Sequence, residues 1–371
     1  MAFEKLFESD VLSKWERVER TVNMQSVDRV AIHEQLSYNP TVLEYFLNKK
    51  IDGYNFTQQD IGKVVQMTLD ATYPVFTPYG VGHEVNSEGF EFRRDNWTKW
   101  LAKRPFSEEE GACEWLKTRI KKLEETIRSF DAAKERSDYH SYMIEQQSYV
   151  GDTVMIDWSI MTGFCEIFDK MGLEIFSFFY MEYPDVMRRY MELSAEYSCR
   201  KVIAAGDNSL SPVVLIAEDF CTKNGPIFSP ELLYHVHYPF IKQLTDTWHE
   251  VGLKVIFHTD GNFKKVIPDL IDCNVDGFYC LERSCGMHIE ELALEYPDMI
   301  WAGGVNGVAT MEFGTPEDVR NEVLRIIDTT NALTRGGIFI DTSSEINPTI
   351  PVISFETMVN TVGERLNPDF A

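Results

Sequence analysis

Lys254–His258 is an apolar run, Val255-Ile256-Phe257, that ends in His258 and breaks at once into Thr259-Asp260-Gly261-Asn262. It belongs to a series. From about residue 150 onward, short apolar runs alternate with stretches of helical length. Strands are predicted at 153–157, 213–217, 254–258, 277–281, 300–303 and 338–341. Helices are predicted at 160–172, 184–204, 230–251, 263–272, 288–295, 316–334 and 354–365. Ser229 and Thr315 read as N-caps, Pro230 suits a first helical position, and Gly252 and Gly336-Gly337 read as stops. Strands that alternate with helices pair in parallel, and strands apolar on both faces need cover on both.

Upstream, the runs 28–34 (DRVAIHE) and 73–76 bring the strand count to about eight. The expected fold is therefore α/β: a (β/α)8 TIM-type barrel over residues 1–371 as a single domain. It carries extra N-terminal helices (3–25) and a helical insertion at about 95–148. A doubly wound open sheet would want a glycine-rich phosphate loop after its first strand, and there is none.

With 44% hydrophobic and 13% aromatic residues, the 371-residue chain can bury a large core. Its net charge of −24 argues against nucleic acid and against an anionic membrane surface as partners. No apolar run approaches the roughly 20 residues of a membrane span, and the charged N-terminal segment has no signal-peptide core. Seven dispersed cysteines without a Cys-x-x-Cys pair fit reduced thiols and a cytoplasmic protein.

In a (β/α) barrel the chemistry lies at the C-terminal ends of the strands. Those ends here carry Glu218 and Asp219, His258 and Asp260, Glu282, Asn306, and Asp341 with Ser344 and Glu345. Each residue alone has an ordinary explanation as a turn cap or loop anchor, but the set points to one shared site. His258, Asp260 and Asp219 are the candidate catalytic groups. Glu218, Asn306, Asp341, Ser344 and Glu345 are candidates for holding substrate. One histidine among carboxylates suits a divalent metal such as zinc, through His258, Asp260 and Glu282, and equally suits proton transfer. Cys280 and Cys285 are close enough in sequence to supply soft ligands, although strand packing is the simpler fate of Cys280. His235 and His237, two apart on one predicted helix, point away from each other. The aromatic residues Tyr73, Phe76, Tyr79, Phe178, Phe179 and Tyr180 could receive an aromatic substrate. No nucleophile-elbow or zinc-protease motif is present.

The ordered segments EDFCTKNGPIFSPELL, VGLKVIFHTDGN, GFYCLERSCGMHIEELALEYP, WAGGVN, GTPEDV and GGIFIDTSSEINPTIP resemble the uroporphyrinogen decarboxylase superfamily over residues 25–365. The resemblance implies the same barrel. Where true uroporphyrinogen decarboxylases carry an arginine-rich segment that grips porphyrinogen carboxylates, this chain has AIHEQLSYNP. The corrinoid-dependent methyltransferases are the better match.

In the coenzyme M type of that branch, zinc is held by a His-x-Cys pair and a later Cys. These positions fall on His258, Asp260 and the neighbourhood of Ser344, so two thiolates become oxygen ligands. A harder ligand set of this kind suits an oxygen substrate. The resemblance thus implies methyl transfer between a small methylated substrate, methoxylated aromatic or methylamine-like, and a corrinoid protein. It also implies a homodimer. The alternative is a metal-free decarboxylase or lyase acting on a small carboxylic acid.

Overall fold

The computed structural model describes residues 6–343 and 345–370. Eight parallel strands follow one another in chain order: β1 (Ala31–Ile32), β2 (Ala71–Thr72), β3 (Val154–Met155), β4 (Val213–Ala217), β5 (Lys254–His258), β6 (Gly277–Leu281), β7 (Ile300–Val305) and β8 (Ile338–Thr342). Strand β1 pairs with β8, and the order continues β8-β7-β6-β5-β4; β2 pairs with β3. Two single parallel bridges complete the ring, His33 to Ala71 between β1 and β2 and Asp157 to Val214 between β3 and β4. Every strand thus has two parallel neighbours, which is a closed barrel.

The strands are short apolar runs because both faces are buried. Inward side chains, among them Ala31, Val154, Leu215, Ile256, Ile300 and Phe339, form one compact cluster. Outward ones such as Val214, Phe257 and Trp301 pack beneath the helices. In β7, Gly303 has a φ of +118° beside a register shift against β6, and a Cβ there would meet the Leu281 nitrogen at 2.8 Å. Only glycine lets the two strands come this close.

The N-terminal end of the barrel is plugged by helix Lys14–Val22, whose Val18 and Val22 join the inner cluster. Ser13 starts this helix with a reciprocal capping box to Glu16. Around the plug lies a fully buried ionic network. Arg17 bonds Asp28 and Asp70 at 2.8 Å, and Arg29 bonds Asp10 and Asp70 at 2.6 Å.

Several expected elements differ from those observed. The insertion does not begin as a helix: residues Gly82–Val85, Glu91–Arg94 and Lys99–Lys103 form an antiparallel three-stranded sheet. Asp95 and Asn96 make the turn between its last two strands, with Asp95 N donating to Thr98 O at 2.8 Å. Helices Glu109–Arg128 and Ala132–Val150 then form the expected charged hairpin.

The helix expected over 230–251 is broken at His237 into Pro230–Val236 and Tyr238–Glu250. Pro239 has no N–H for the His235 carbonyl, which instead accepts from Arg188 at 3.3 Å. The helix expected over 316–334 ends at Thr329 and resumes at Ala332, with Asn331 between them in the left-handed conformation. The expected N-terminal helix is shorter than 3–25. No helix among the described residues is long and apolar enough to cross a membrane.

Candidate active site

A cavity of about 530 Å³ opens at the C-terminal ends of the strands. Seven of the eight strands contribute to it, directly or through the loop that follows. Gln35 and Tyr38 come after β1, Tyr73 and Tyr79 after β2, and Trp158 after β3. Asp219 follows β4, His258 and Asp260 end β5, Tyr279 lies within β6, and Glu345 follows β8. Trp97, Thr98 and Lys99 reach over from the antiparallel sheet.

The charged wall is built by the β4 and β5 ends. His258 Nε2 lies 3.3 Å from Asp219 Oδ1 and 3.9 Å from Asp260 Oδ1. The ligand-capable atoms of the three residues all fall within 4.8 Å of one another. Asp219 Oδ1 also accepts the backbone N–H of Asp260 at 2.9 Å, so it fixes the loop as well as the imidazole.

The His258 side chain is only 16% exposed. Burial works against its charged form, but the Asp219 hydrogen bond and the charges of Asp219, Asp260 and Glu345 outweigh it and raise its pKa above the ordinary value. Asp219 is correspondingly held below the usual carboxylate value: burial opposes ionisation, and His258 with the Asp260 amide prevails. Asp260 is pushed up by burial and, against the pull of His258, by the neighbouring charges of Asp219 and Glu282.

On the other side of the barrel, where β1 meets β8, is a second, buried polar cluster. His33 Nδ1 is hydrogen-bonded to Asp341 Oδ2, Glu34 is hydrogen-bonded to Asp341, and Thr342 N donates to Glu34 at 2.5 Å. The His33 ring meets Tyr73 edge-on at 4.4 Å and Tyr279 at 5.7 Å, both of which face the cavity. Burial first, then the charge of Asp341, holds the Glu34 carboxyl well above its usual value; burial does the same to Asp341. Both carboxyls therefore hold their protons to higher pH than exposed carboxyls do. Burial pushes His33 down to about 4, against the charge of Glu34, so its imidazole is neutral.

The predicted site residues divide accordingly. Asp219, His258, Asp260 and Glu345 come together on the cavity wall. Asp341 lies beneath it, bonded to His33 rather than exposed to a ligand. Glu218 is turned away: its carboxylate accepts the Cys165 amide at 2.8 Å and the Thr162 hydroxyl, and so caps helix Phe164–Met171. Asn306 is spent on Val308 N and Ala309 N, at 3.1 and 2.7 Å, as the cap of the following turn. Ser344 lies outside the described residues.

Glu282 is absent from the three-residue cluster, because its carboxylate accepts Gly261 N at 3.2 Å and the Cys285 thiol at 3.2 Å. Asp219 stands in that cluster with His258 and Asp260 instead. Cys280 is fully buried, with its thiol on the Ser343 carbonyl. His235 is bonded to Tyr180 at 3.2 Å, while His237 is buried among Phe164, Phe220 and Phe257. Of the aromatic candidates, Tyr73 and Tyr79 face the cavity and Phe76 packs on Trp158; Phe178–Tyr180 lie on helix Leu173–Glu182 and do not line it.

His33 and Glu34 were not expected in the site. Their signal was present, since the run AIHE ends β1 just as the other apolar runs end in polar residues. Trp158 and Trp97 carried no such mark, being single residues in loops.

The family described as uroporphyrinogen decarboxylase (URO-D) matches residues 158–365, more than half of the chain. A solved methyltransferase from Methanosarcina mazei superposes with a TM-score of 0.62 at 16% identity, covering 95% of this chain and 98% of that one. None of the curated proteins matches the chain.

Proposed function

The chain belongs to the uroporphyrinogen decarboxylase family, and from that premise we propose that it is a methyltransferase of the O-demethylase type. It moves a methyl group between a small methylated substrate, methoxylated aromatic or methylamine-like, and the cobalt of a corrinoid protein. The observation that carries this reading is the pairing of His258 with Asp219 on the wall of an aromatic-lined cavity. The similarity in fold to a protein named as a methyltransferase supports it.

An ether oxygen is a poor leaving group until it is protonated or bound to a Lewis acid. His258, kept charged by Asp219, stands where it can give its proton to that oxygen. As the methyl–oxygen bond breaks, the oxygen leaves as the hydroxyl compound with the His258 proton; the partner's corrinoid, when bound, would supply the nucleophile that accepts the methyl group. Asp219 orients the imidazole and stabilises its charge. Asp260 and Glu345 complete the wall, and Glu34 with Asp341 fixes His33 beneath Tyr73 and Tyr279.

Zinc fits the same three residues. One imidazole and two carboxylates are an accepted ligand set, and among the described residues the Nδ1 atom of His258 has no hydrogen-bond partner that would turn the ring away. His258, Asp219 and Asp260 would hold the ion, which when bound would supply a Lewis acid at the substrate heteroatom.

Uroporphyrinogen decarboxylation, and decarboxylation of a small acid, fit less well, because no arginine lines the cavity among the described residues while three carboxylates do. The seven cysteines are all free, in keeping with a cytoplasmic protein. The test is single-turnover methyl transfer to cob(I)alamin from a panel of methoxyarenes and methylamines, followed by absorbance. Formation of methylcobalamin that is lost in His258→Ala supports the proposal; folded protein that transfers from none of them refutes it.

A further inference from the structure

We infer that the cavity takes a planar aryl methyl ether whose other ring substituents carry no negative charge. This names the substrate class of the site and rests on the methyl-transfer reading above.

Shape carries the first half. Tyr73 and Trp158 lie parallel, with centroids 5.2 Å apart and planes within 7°, and both line the cavity. The two rings are stacked on each other, so a ligand ring meets only the faces and edges that the stack leaves open to the cavity. Tyr279, 5.9 Å from Tyr73 and 5.1 Å from His258, continues the aromatic lining from the stacked pair to the imidazole. Flat walls suit a flat ring, and ring stacking sets its plane. A ring lying along Tyr73 and Trp158 can turn a ring oxygen toward His258.

Charge carries the second half. Asp219, Asp260 and Glu345 open on the cavity, and the Glu34–Asp341 pair lies just beneath it. The cations that could receive a ring carboxylate are committed elsewhere. His258 is bonded to Asp219, and Lys99 is paired with Glu84 and stands 4.5 Å over the Phe92 ring. The polar groups left for a ring substituent are neutral: Gln35, and the hydroxyls of Tyr38 and Tyr79, which are bonded to each other. Such a lining accepts a hydroxyl or a second methoxy group and repels a carboxylate.

The experiment is calorimetric titration of the whole protein, without corrinoid, at pH 7 and low salt. The ligands are 2-methoxyphenol, 1,2-dimethoxybenzene, 4-hydroxy-3-methoxybenzoate and trimethylphenylammonium. The neutral ethers are expected to bind about tenfold or more tighter than the benzoate. Salt should narrow the gap. Glu345→Gln should narrow it several-fold, and Trp158→Ala should weaken the neutral ethers.

Equal binding of the benzoate, weaker binding of the ammonium ion than of the benzoate, or no binding of any arene overturns the inference. Methyl transfer to cob(I)alamin is measured separately on the same protein. Selective binding without transfer upholds the ligand class and sinks the methyltransferase reading; transfer from non-aromatic donors without arene binding does the reverse.

Discussion

Asp219 grips Asp260 by its backbone: the Asp260 N–H donates to Asp219 Oδ1 at 2.9 Å, and the same oxygen lies 3.3 Å from His258 Nε2. One carboxylate thus ties the end of β4 to the loop after β5 and also stabilises the imidazolium. Asp219→Asn keeps the shape and removes the charge. With its folded-state pKa raised, His258 stays protonated to higher pH than an ordinary histidine, and much of that elevation comes from Asp219. In the variant the His258 proton is expected to leave at lower pH, and the alkaline limb of the methyl-transfer rate should move down with it. NMR titration of the His258 ring protons checks this; an unmoved titration would show that Asp219 does not set the imidazole's charge.

The identity of the third ligand, Asp219 or Glu282, decides how a metal would be held. Zinc affinity, measured by competition with a chromophoric chelator, is expected to fall about tenfold or more in Asp219→Ala and in Asp260→Ala. Glu282→Gln should leave it nearly unchanged, because that carboxylate is engaged by Gly261 N and Cys285. The opposite pattern would restore Glu282 as the ligand.

The Glu34–Asp341 pair gives the protein a stability that depends on pH in an unusual direction. Burial and the charge of Asp341 raise the folded-state pKa of Glu34, so the folded protein holds a proton that the unfolded chain has lost. This contribution is complete below the ordinary carboxyl value, about 4.3, and is lost as pH rises toward the folded value. Glu34→Gln replaces the protonated acid by a neutral amide that can still donate to Asp341 and accept from Thr342. The expected result is a melting temperature equal to or above wild type at pH 6, with the advantage growing at pH 9. A variant that melts lower at both values would show that Glu34 is needed as a carboxyl group.

Much of this architecture is legible in the sequence. Strands β4, β5 and β6 match their predicted limits because their apolar runs, flanked by turn residues, are too short for a helix and suit doubly buried strands. Strands β1–β3 were harder to delimit, since each pairs over only two residues and one bridge. The antiparallel sheet was missed although Asp95-Asn96 is a turn signal between two alternating segments; its exposed strands are rich in charge and mimic a solvated helix. In the site, position along a strand separated Asp219, His258 and Asp260 from nothing else. What removed Glu218, Asn306 and Glu282 was the nearest free amide, a loop geometry that sequence does not specify.

The buried network at the opposite end of the barrel should be felt in stability alone. Arg29 is fully buried between Asp10 and Asp70, and Arg17 joins Asp70 to Asp28. Asp70 is held far below the usual carboxylate value, since the charges of Arg29 and Arg17 overcome the cost of its burial. A depressed carboxyl stabilises the fold above its unfolded pKa, near 3.9, and loses that contribution as pH falls toward the folded value. Arg29→Met leaves two buried carboxylates short of a partner and is expected to cost about 3–5 kcal/mol in urea unfolding at pH 7. The cost should shrink in acid, where protonation relieves the stranded carboxylates. Arg320→Met, which breaks the half-exposed pair with Glu364, should cost no more than about 1 kcal/mol. If the two variants lose the same stability, the plug is held by the packing of Val18 and Val22, and the ionic network beneath it contributes nothing beyond filling space.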